Sequence, residues 1–109
     1  MKTKTNNPIV IFLNCKCEVV KHQYNNGRPA LELIIAENDE ERELYKGEPM
    51  AMATVNIPCA ELETDEVIIK DYSENEGMLD VLTKAGIVKA TGKTISTGWV
   101  TCPICKLLI

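Results

Sequence analysis

The stretch Asp71–Val88, DYSENEGMLDVLTKAGIV, decides the fold class, because it holds the one helical pattern in the chain. Met78, Leu79, Val81, Leu82 and Ala85 recur at the i, i+3, i+4, i+7 spacing of an amphipathic helix. Ser73, followed three residues later by Glu76, matches the capping box, in which each side chain satisfies an orphan amide. Glu74 and Glu76 would sit in the first turn, where the helix dipole favours negative charge. Lys84 falls in the last turn, and Gly86 stands where a left-handed residue stops a helix, with apolar Ile87 after it. These signals predict one helix from Ser73 or Glu74 to Ala85, with Ser73 as its N-cap.

Three residues stand outside that account. Gly77 costs a helix interior about 0.5–1 kcal/mol against alanine, and a glycine there usually marks close approach of a backbone or a ligand. Tyr72 and Asn75 are not needed for capping. The structural reading is a capped helix packed tightly on a sheet. The functional reading is a binding site at Tyr72, Ser73, Glu74, Asn75, Glu76 and Gly77, since the exposed amides of a helix start attract anions. Glu74 and Glu76 compete for the same field.

Upstream, Ile9–Tyr24 is rich in Ile, Val, Phe and Cys and reads as extended. Asn25-Asn26-Gly27-Arg28 carries the Asn-Gly pair of a type I′ hairpin turn, and Ala30–Ala36 returns as the second strand. A third strand spans Met50–Ile57, with Ala51, Ala53, Val55 and Ile57 on one face. Val67–Lys70 forms a short fourth. After the helix, Thr91–Thr94 reads as a polar link and Gly98–Leu108 as the last strand, which holds the only tryptophan. The expected fold is α+β: an antiparallel sheet of about five strands, in the order β-β-β-β-α-β, with the helix on one face. The 109 residues make a single domain, 1–109, with a polar tail over Met1–Pro8.

Net charge is −4, and Glu37–Glu43 (ENDEERE) carries all of it: five acidic residues and one arginine sum to −4. The run reads either as a solvated loop or as a patch of Glu37, Asp39, Glu40, Glu41 and Glu43 that attracts a basic partner surface. No basic stripe of the kind nucleic-acid binders show is present in the linear sequence. No apolar run approaches the roughly 20 residues of a membrane span. The apolar patch Ile9–Leu13 is too short for a signal-peptide core. The expected location is the cytoplasm.

Chemistry has few candidates. Five cysteines, an odd number, argue against a full disulfide framework. Cys15 and Cys17 share a strand face, and Cys102-Pro103-Ile104-Cys105 has the spacing of a zinc-binding pair. Against zinc, a strand resumes directly after Cys105, and buried cysteine is common as a small hydrophobe. A redox role is the other alternative. His22 is the only histidine, and no nucleophile or base can be grouped with it. Thr91-Gly92-Lys93-Thr94 is half of a phosphate-loop signature, but the first glycine is missing: Ile87 stands there. The reading is of a protein that is not an enzyme and uses no metal or cofactor.

The segments NNGRPALELI (Asn25–Ile34), GEPMAMATVNIP (Gly47–Pro58), DEVIIKDYSENEGMLDVLTKAGIV (Asp65–Val88) and STGWVTCPICKLL (Ser96–Leu108) go further. Together they resemble a family of small, functionally uncharacterised proteins carried by bacteriophages, plasmids and conjugative elements. The resemblance implies one α+β domain of a mobile element in a bacterial host cell, with no activity to carry over. Against it, the acidic segment looks like an elaboration particular to this sequence. Genes of this kind often encode inhibitors of host defence. The leading expectation is therefore a binding protein that inhibits a defence protein with a basic surface. The alternatives are a sponge for a small anionic ligand such as a nucleotide messenger, and a cysteine-based zinc or redox module. Direct nucleic-acid binding is not expected, and a homodimer is compatible with the sequence.

Overall fold

Ala53 sits where one strand leaves a sheet and enters another. Its amide donates to the Leu31 carbonyl (2.8 Å), while its own carbonyl accepts from the Lys70 amide (2.9 Å). The computed structural model describes residues 7–109; most of the expected polar tail, residues 1–6, lies outside them. Eight strands are described: β1 (Ile9–Phe12), β2 (Cys15–Gln23), β3 (Pro29–Ile35), β4 (Pro49–Met52), β5 (Thr54–Val55), β6 (Glu66–Ile69), β7 (Val88–Thr97) and β8 (Val100–Leu107). The helix α1 (Met78–Lys84) lies between β6 and β7. The strands form two antiparallel four-stranded sheets, ordered β1-β2-β3-β4 and β5-β6-β8-β7.

The α+β class is as expected. The single sheet of about five strands is replaced by two sheets of four, for three local reasons. First, Ile9–Tyr24 is not one strand. Leu13 and Asn14 both take left-handed backbone (φ 53° and 61°), the geometry of a two-residue type I′ turn, which folds β1 back on β2. Second, the segment read as a strand over Met50–Ile57 breaks at Ala53, a side chain small enough to be fully buried at the corner. Third, the expected link over Thr91–Thr94 lies inside β7, as a bulge between Ala90 and Lys93 with Gly92 at φ +86°.

The hairpin between β2 and β3 stands where Asn25–Arg28 places it, with a different turn. Gly27 (φ +86°) is left-handed, whereas Asn25 and Asn26 are not, so the loop is not type I′. It carries its left-handed residue last, as a turn with a glycine bulge does. Arg28 holds the tip down by donating to the Ile57 carbonyl (2.9 Å) and the Ala60 carbonyl.

The main core lies between the sheets and under α1. Val10, Phe12, Cys17 and Val19 of the first sheet meet Leu31 and Leu33, then Val67, Ile69 and Cys105 of the second, with Met78 and Leu82 from the helix. A smaller cluster covers the far face of the second sheet, where Ile68, Cys102 and Ile104 pack under Ala60 and Leu62. The α1 stop is as expected: the Ile87 amide donates to the Leu82 carbonyl (2.9 Å) and the Gly86 amide to the Thr83 carbonyl (3.1 Å), with Gly86 at φ +75°. This is a full Schellman motif.

The helix start differs from its expected form. A short 3-10 turn, Ser73–Asn75, comes first, and Gly77 (φ +97°) separates it from α1. Ser73 makes no capping bond and itself holds φ 56°. The cap is Asp71, whose Oδ1 accepts the amides of Gly77 (3.1 Å) and Leu79 (2.9 Å). Gly77 is required by its left-handed backbone and not by crowding, since a Cβ there would meet nothing within 4 Å.

Candidate functional site

The acidic segment is an ordered loop on the end of the first sheet. Asp39 and Leu44 close it with reciprocal backbone bonds (2.8 and 3.0 Å). Between them runs a 3-10 turn, Glu40–Arg42, whose start is capped by the Asp39 carboxylate accepting the Arg42 amide. The Arg42 guanidinium reaches back to the carbonyls of Leu13 (3.1 Å) and Asn14 (3.2 Å). The one cation of the segment thus fastens the loop to the β1–β2 turn. Lys16 lies 3.5 Å from Glu37.

Glu40, Glu41 and Glu43 are left exposed, and none of them has an ion-pair partner among the described residues. Beside them a cleft of about 510 Å³ opens between the loop and the β1–β2 turn, with Ile35 and Leu44 among its apolar lining and Glu37, Glu40 and Glu41 among its charged lining. The arrangement presents negative charge on fixed backbone. Such an arrangement is electrostatically complementary to a cationic surface.

The second expected patch is pulled apart by the fold. Asn75 is 1% exposed, and its Nδ2 donates to the Met52 carbonyl (2.6 Å). It clamps the helix approach against the end of β4, next to the Ala53 corner, and presents nothing to a ligand. Glu74 pairs with Lys70 (2.5 Å), whose ammonium also lies 5.7 Å from the centre of the half-buried Tyr72 ring. The hydrogen bond from Lys70 holds the Glu74 carboxyl below its ordinary range. Ser73, Glu76 and Gly77 are exposed. The free amides that an anion at the helix start would need, those of Gly77 and Leu79, are taken by Asp71. A helix of seven residues also has little dipole to offer.

The cysteines do not converge. Cys15 and Cys17 do share the buried face of β2, as expected. Cys102 and Cys105 are three apart on a strand and so point to opposite faces: Cys105 joins the main core and Cys102 the smaller cluster. Among the described residues, no three His, Cys, Asp or Glu side chains gather as a metal set. Burial pushes the Cys17 thiol up to about 11, helped by Cys15, and pushes Cys105 up to about 11, helped by the Asp71 charge. At neutral pH both stay protonated, which disfavours nucleophilic attack. His22 is exposed on β2, its Nε2 2.8 Å from the Glu32 carboxylate across the β2–β3 pair.

The last strand starts at Val100 and not at the expected Gly98, because Gly98 and Trp99 form the turn before it. Trp99 is 99% exposed at the tip of the β7–β8 hairpin, beside Gly98 (φ +60°), which suits a type II′ turn. The pairs Ser96–Thr101 and Thr97–Val100 beneath it are uncharged. The signal available was the Gly-Trp pair between two β-prone runs, which reads as a two-residue turn once β7 is recognised. No helix among the described residues is long and apolar enough to cross a membrane. No protein-family model, curated protein or solved structure matches this chain.

Proposed function

We propose that the protein works by binding, without catalysis, and that its partner is a protein with a basic surface that docks on the acidic loop Glu37–Glu43. What carries this reading is the contrast between backbone and charge in that loop. Arg42, Asp39 and the Asp39–Leu44 bridge fix the chain, while Glu40, Glu41 and Glu43 project into solvent. A preorganised acidic patch lowers the ordering cost of association and steers a basic partner into encounter. Within the resemblance to mobile-element proteins, the role that fits is an inhibitor that blocks a defence protein in the cytoplasm of a bacterial host.

The small-ligand alternative has less behind it. It needs Asn75 and the helix-start amides free, and Asn75 is buried while Asp71 occupies the amides. The test uses two baits in parallel, the wild-type chain and the Glu40→Lys, Glu41→Lys, Glu43→Lys variant, against extract of a bacterial host. A basic protein retained by the first and lost by the second supports the reading. A partner retained equally by both, or a co-purifying nucleotide whose binding ignores the three reversals, overturns it.

A further inference from the structure

Asn26 and Gly27, both exposed at the tip of the β2–β3 hairpin, put a side-chain carboxamide next to the least hindered main-chain amide. The main-chain nitrogen after an asparagine can lose its proton, attack the asparagine Cγ and expel the side-chain nitrogen as ammonia. The resulting succinimide takes up water at either carbonyl. One opening gives aspartate, the other isoaspartate, in which the main chain runs through Cβ and is longer by one carbon. Water is the only co-reactant. Asn26 is the one asparagine of the chain followed by glycine. Every other asparagine precedes a side chain that crowds the attacking nitrogen, or precedes Pro8, whose nitrogen has no proton to lose. A Cβ at Gly27 would meet nothing within 4 Å, so no neighbouring group blocks the reaction.

Hydrogen bonds hold both reacting groups. The Gly27 amide, the nucleophile, donates to the Tyr24 carbonyl at 2.8 Å. Asn26 Oδ1 accepts the Arg28 amide (3.2 Å), and Nδ2, the leaving nitrogen, donates to Asn56 Oδ1 (3.3 Å). The Tyr24 amide donates to the Arg28 carbonyl (2.8 Å) and closes the loop. Attack therefore requires the Gly27 N–H to leave the Tyr24 carbonyl and the carboxamide to turn away from Arg28 and Asn56.

We propose that Asn26 is a site of covalent self-modification, held in check by the hydrogen bonds of the folded hairpin, and that its isoaspartate product loosens the loop beneath it. The aspartate product changes little. The turn keeps its length, a carboxylate oxygen still accepts the Arg28 amide, and Asn56 turns its own amide to donate. Isoaspartate instead inserts a carbon between Tyr24 and Arg28, whose mutual bonds need the native length. Arg28 is then displaced from the carbonyls of Ile57 (2.9 Å) and Ala60. Ala60 packs on the cluster of Ile68, Cys102 and Ile104, so a change at the hairpin tip reaches the far face of the second sheet.

Peptide mapping by mass spectrometry, with isoaspartate detected separately, tests the proposal on the full chain at mildly alkaline pH. In urea, Asn26 should be modified well ahead of every other asparagine, and Gly27→Ala should slow the reaction. In native buffer the wild-type rate should be at least about tenfold lower, the factor expected when two or more hydrogen bonds must open first. The isoaspartate form, made in urea, separated and refolded, should show faster hydrogen exchange at the Ala60 amide, which donates to the Ile57 carbonyl (2.9 Å). Asn26→Asp should keep the wild-type exchange. Modification as fast in the folded chain as in urea, or led by another asparagine, overturns the proposal. So does an isoaspartate form whose Ala60 exchange is unchanged.

Discussion

The Asp71 carboxylate accepts the Leu79 amide at 2.9 Å, eight residues along the chain, and by this bond it starts the helix from outside it. The same oxygen takes the Gly77 amide. Asp71→Ala should therefore destabilise the protein by about 0.5–2 kcal/mol in urea unfolding. Ser73→Ala should stay within about 0.5 kcal/mol of wild type. Ser73→Gly should stabilise by about 1 kcal/mol, because Ser73 sits at φ 56°, a conformation glycine adopts without penalty. A large loss at Ser73→Ala would restore the capping box.

Gly77 supplies a second contrast. Its backbone is left-handed, yet a Cβ would meet open space. Gly77→Ala should cost about 1–2 kcal/mol from backbone strain alone, and Gly77→Asn less, since asparagine tolerates this region. Equal losses for both variants would point to crowding instead.

Glu66 and Lys93 tie the middle of the second sheet to its bulged edge. Lys93 Nζ lies 2.7 Å from the buried Glu66 Oε2, and Glu66 Oε1 accepts the Glu63 amide (3.0 Å). The Lys93 hydrogen bond, then the Glu63 amide, hold the Glu66 carboxyl below its ordinary value of 4.5. A carboxyl depressed in the folded state stabilises above its unfolded value, and that contribution is lost as pH falls through the folded value. The stability gap between wild type and Lys93→Met should thus be open at neutral pH and close progressively below 4.5. Unfolding curves recorded down the acid range check this; a gap that widens in acid contradicts it.

Of the five cysteines, Cys59 alone is exposed. A thiol reagent at mildly alkaline pH should modify one sulfur in the native protein and five after unfolding. The Cys59→Ser variant should show none until it unfolds. Fast modification of a second thiol would mean that Cys15, Cys17, Cys102 or Cys105 is reached through an opening of the core.

Much of the fold was legible where a local rule has a distinctive residue. Gly86 and Ile87 announce the Schellman stop, Gly27 the β2–β3 hairpin, and the spacing from Met78 to Ala85 the helix. What escaped were junctions that tertiary contacts decide. Leu13-Asn14 makes a tight turn without glycine, inside an apolar run. Ala53 divides a strand only because Leu31 and Lys70 bond it from different sheets. Asp71 caps across Gly77, outside the spacing of a capping box. β7 has a largely polar, exposed face, so it lacks the alternation that marks a strand. As for the sites, the acidic run was visible as charge, but its anchoring through Arg42 to Leu13 and Asn14 was not. Asn75 has no local role in the sequence because its partner, the Met52 carbonyl, lies 23 residues away, and Tyr72 gains its role only once Lys70 lies over its ring.

If binding begins at Glu40, Glu41 and Glu43, their charge must set the rate at which the captured basic partner associates. Stopped-flow rates should be compared for the wild-type chain and the Glu40→Lys, Glu41→Lys, Glu43→Lys variant at low and high salt. Salt screens exposed charges over roughly 8–10 Å at physiological strength. The wild-type rate should therefore fall steeply as salt rises, and the variant should associate at least about tenfold more slowly at low salt with little further salt dependence. Equal rates and equal salt slopes for the two proteins would contradict the account and move the binding surface away from the acidic loop.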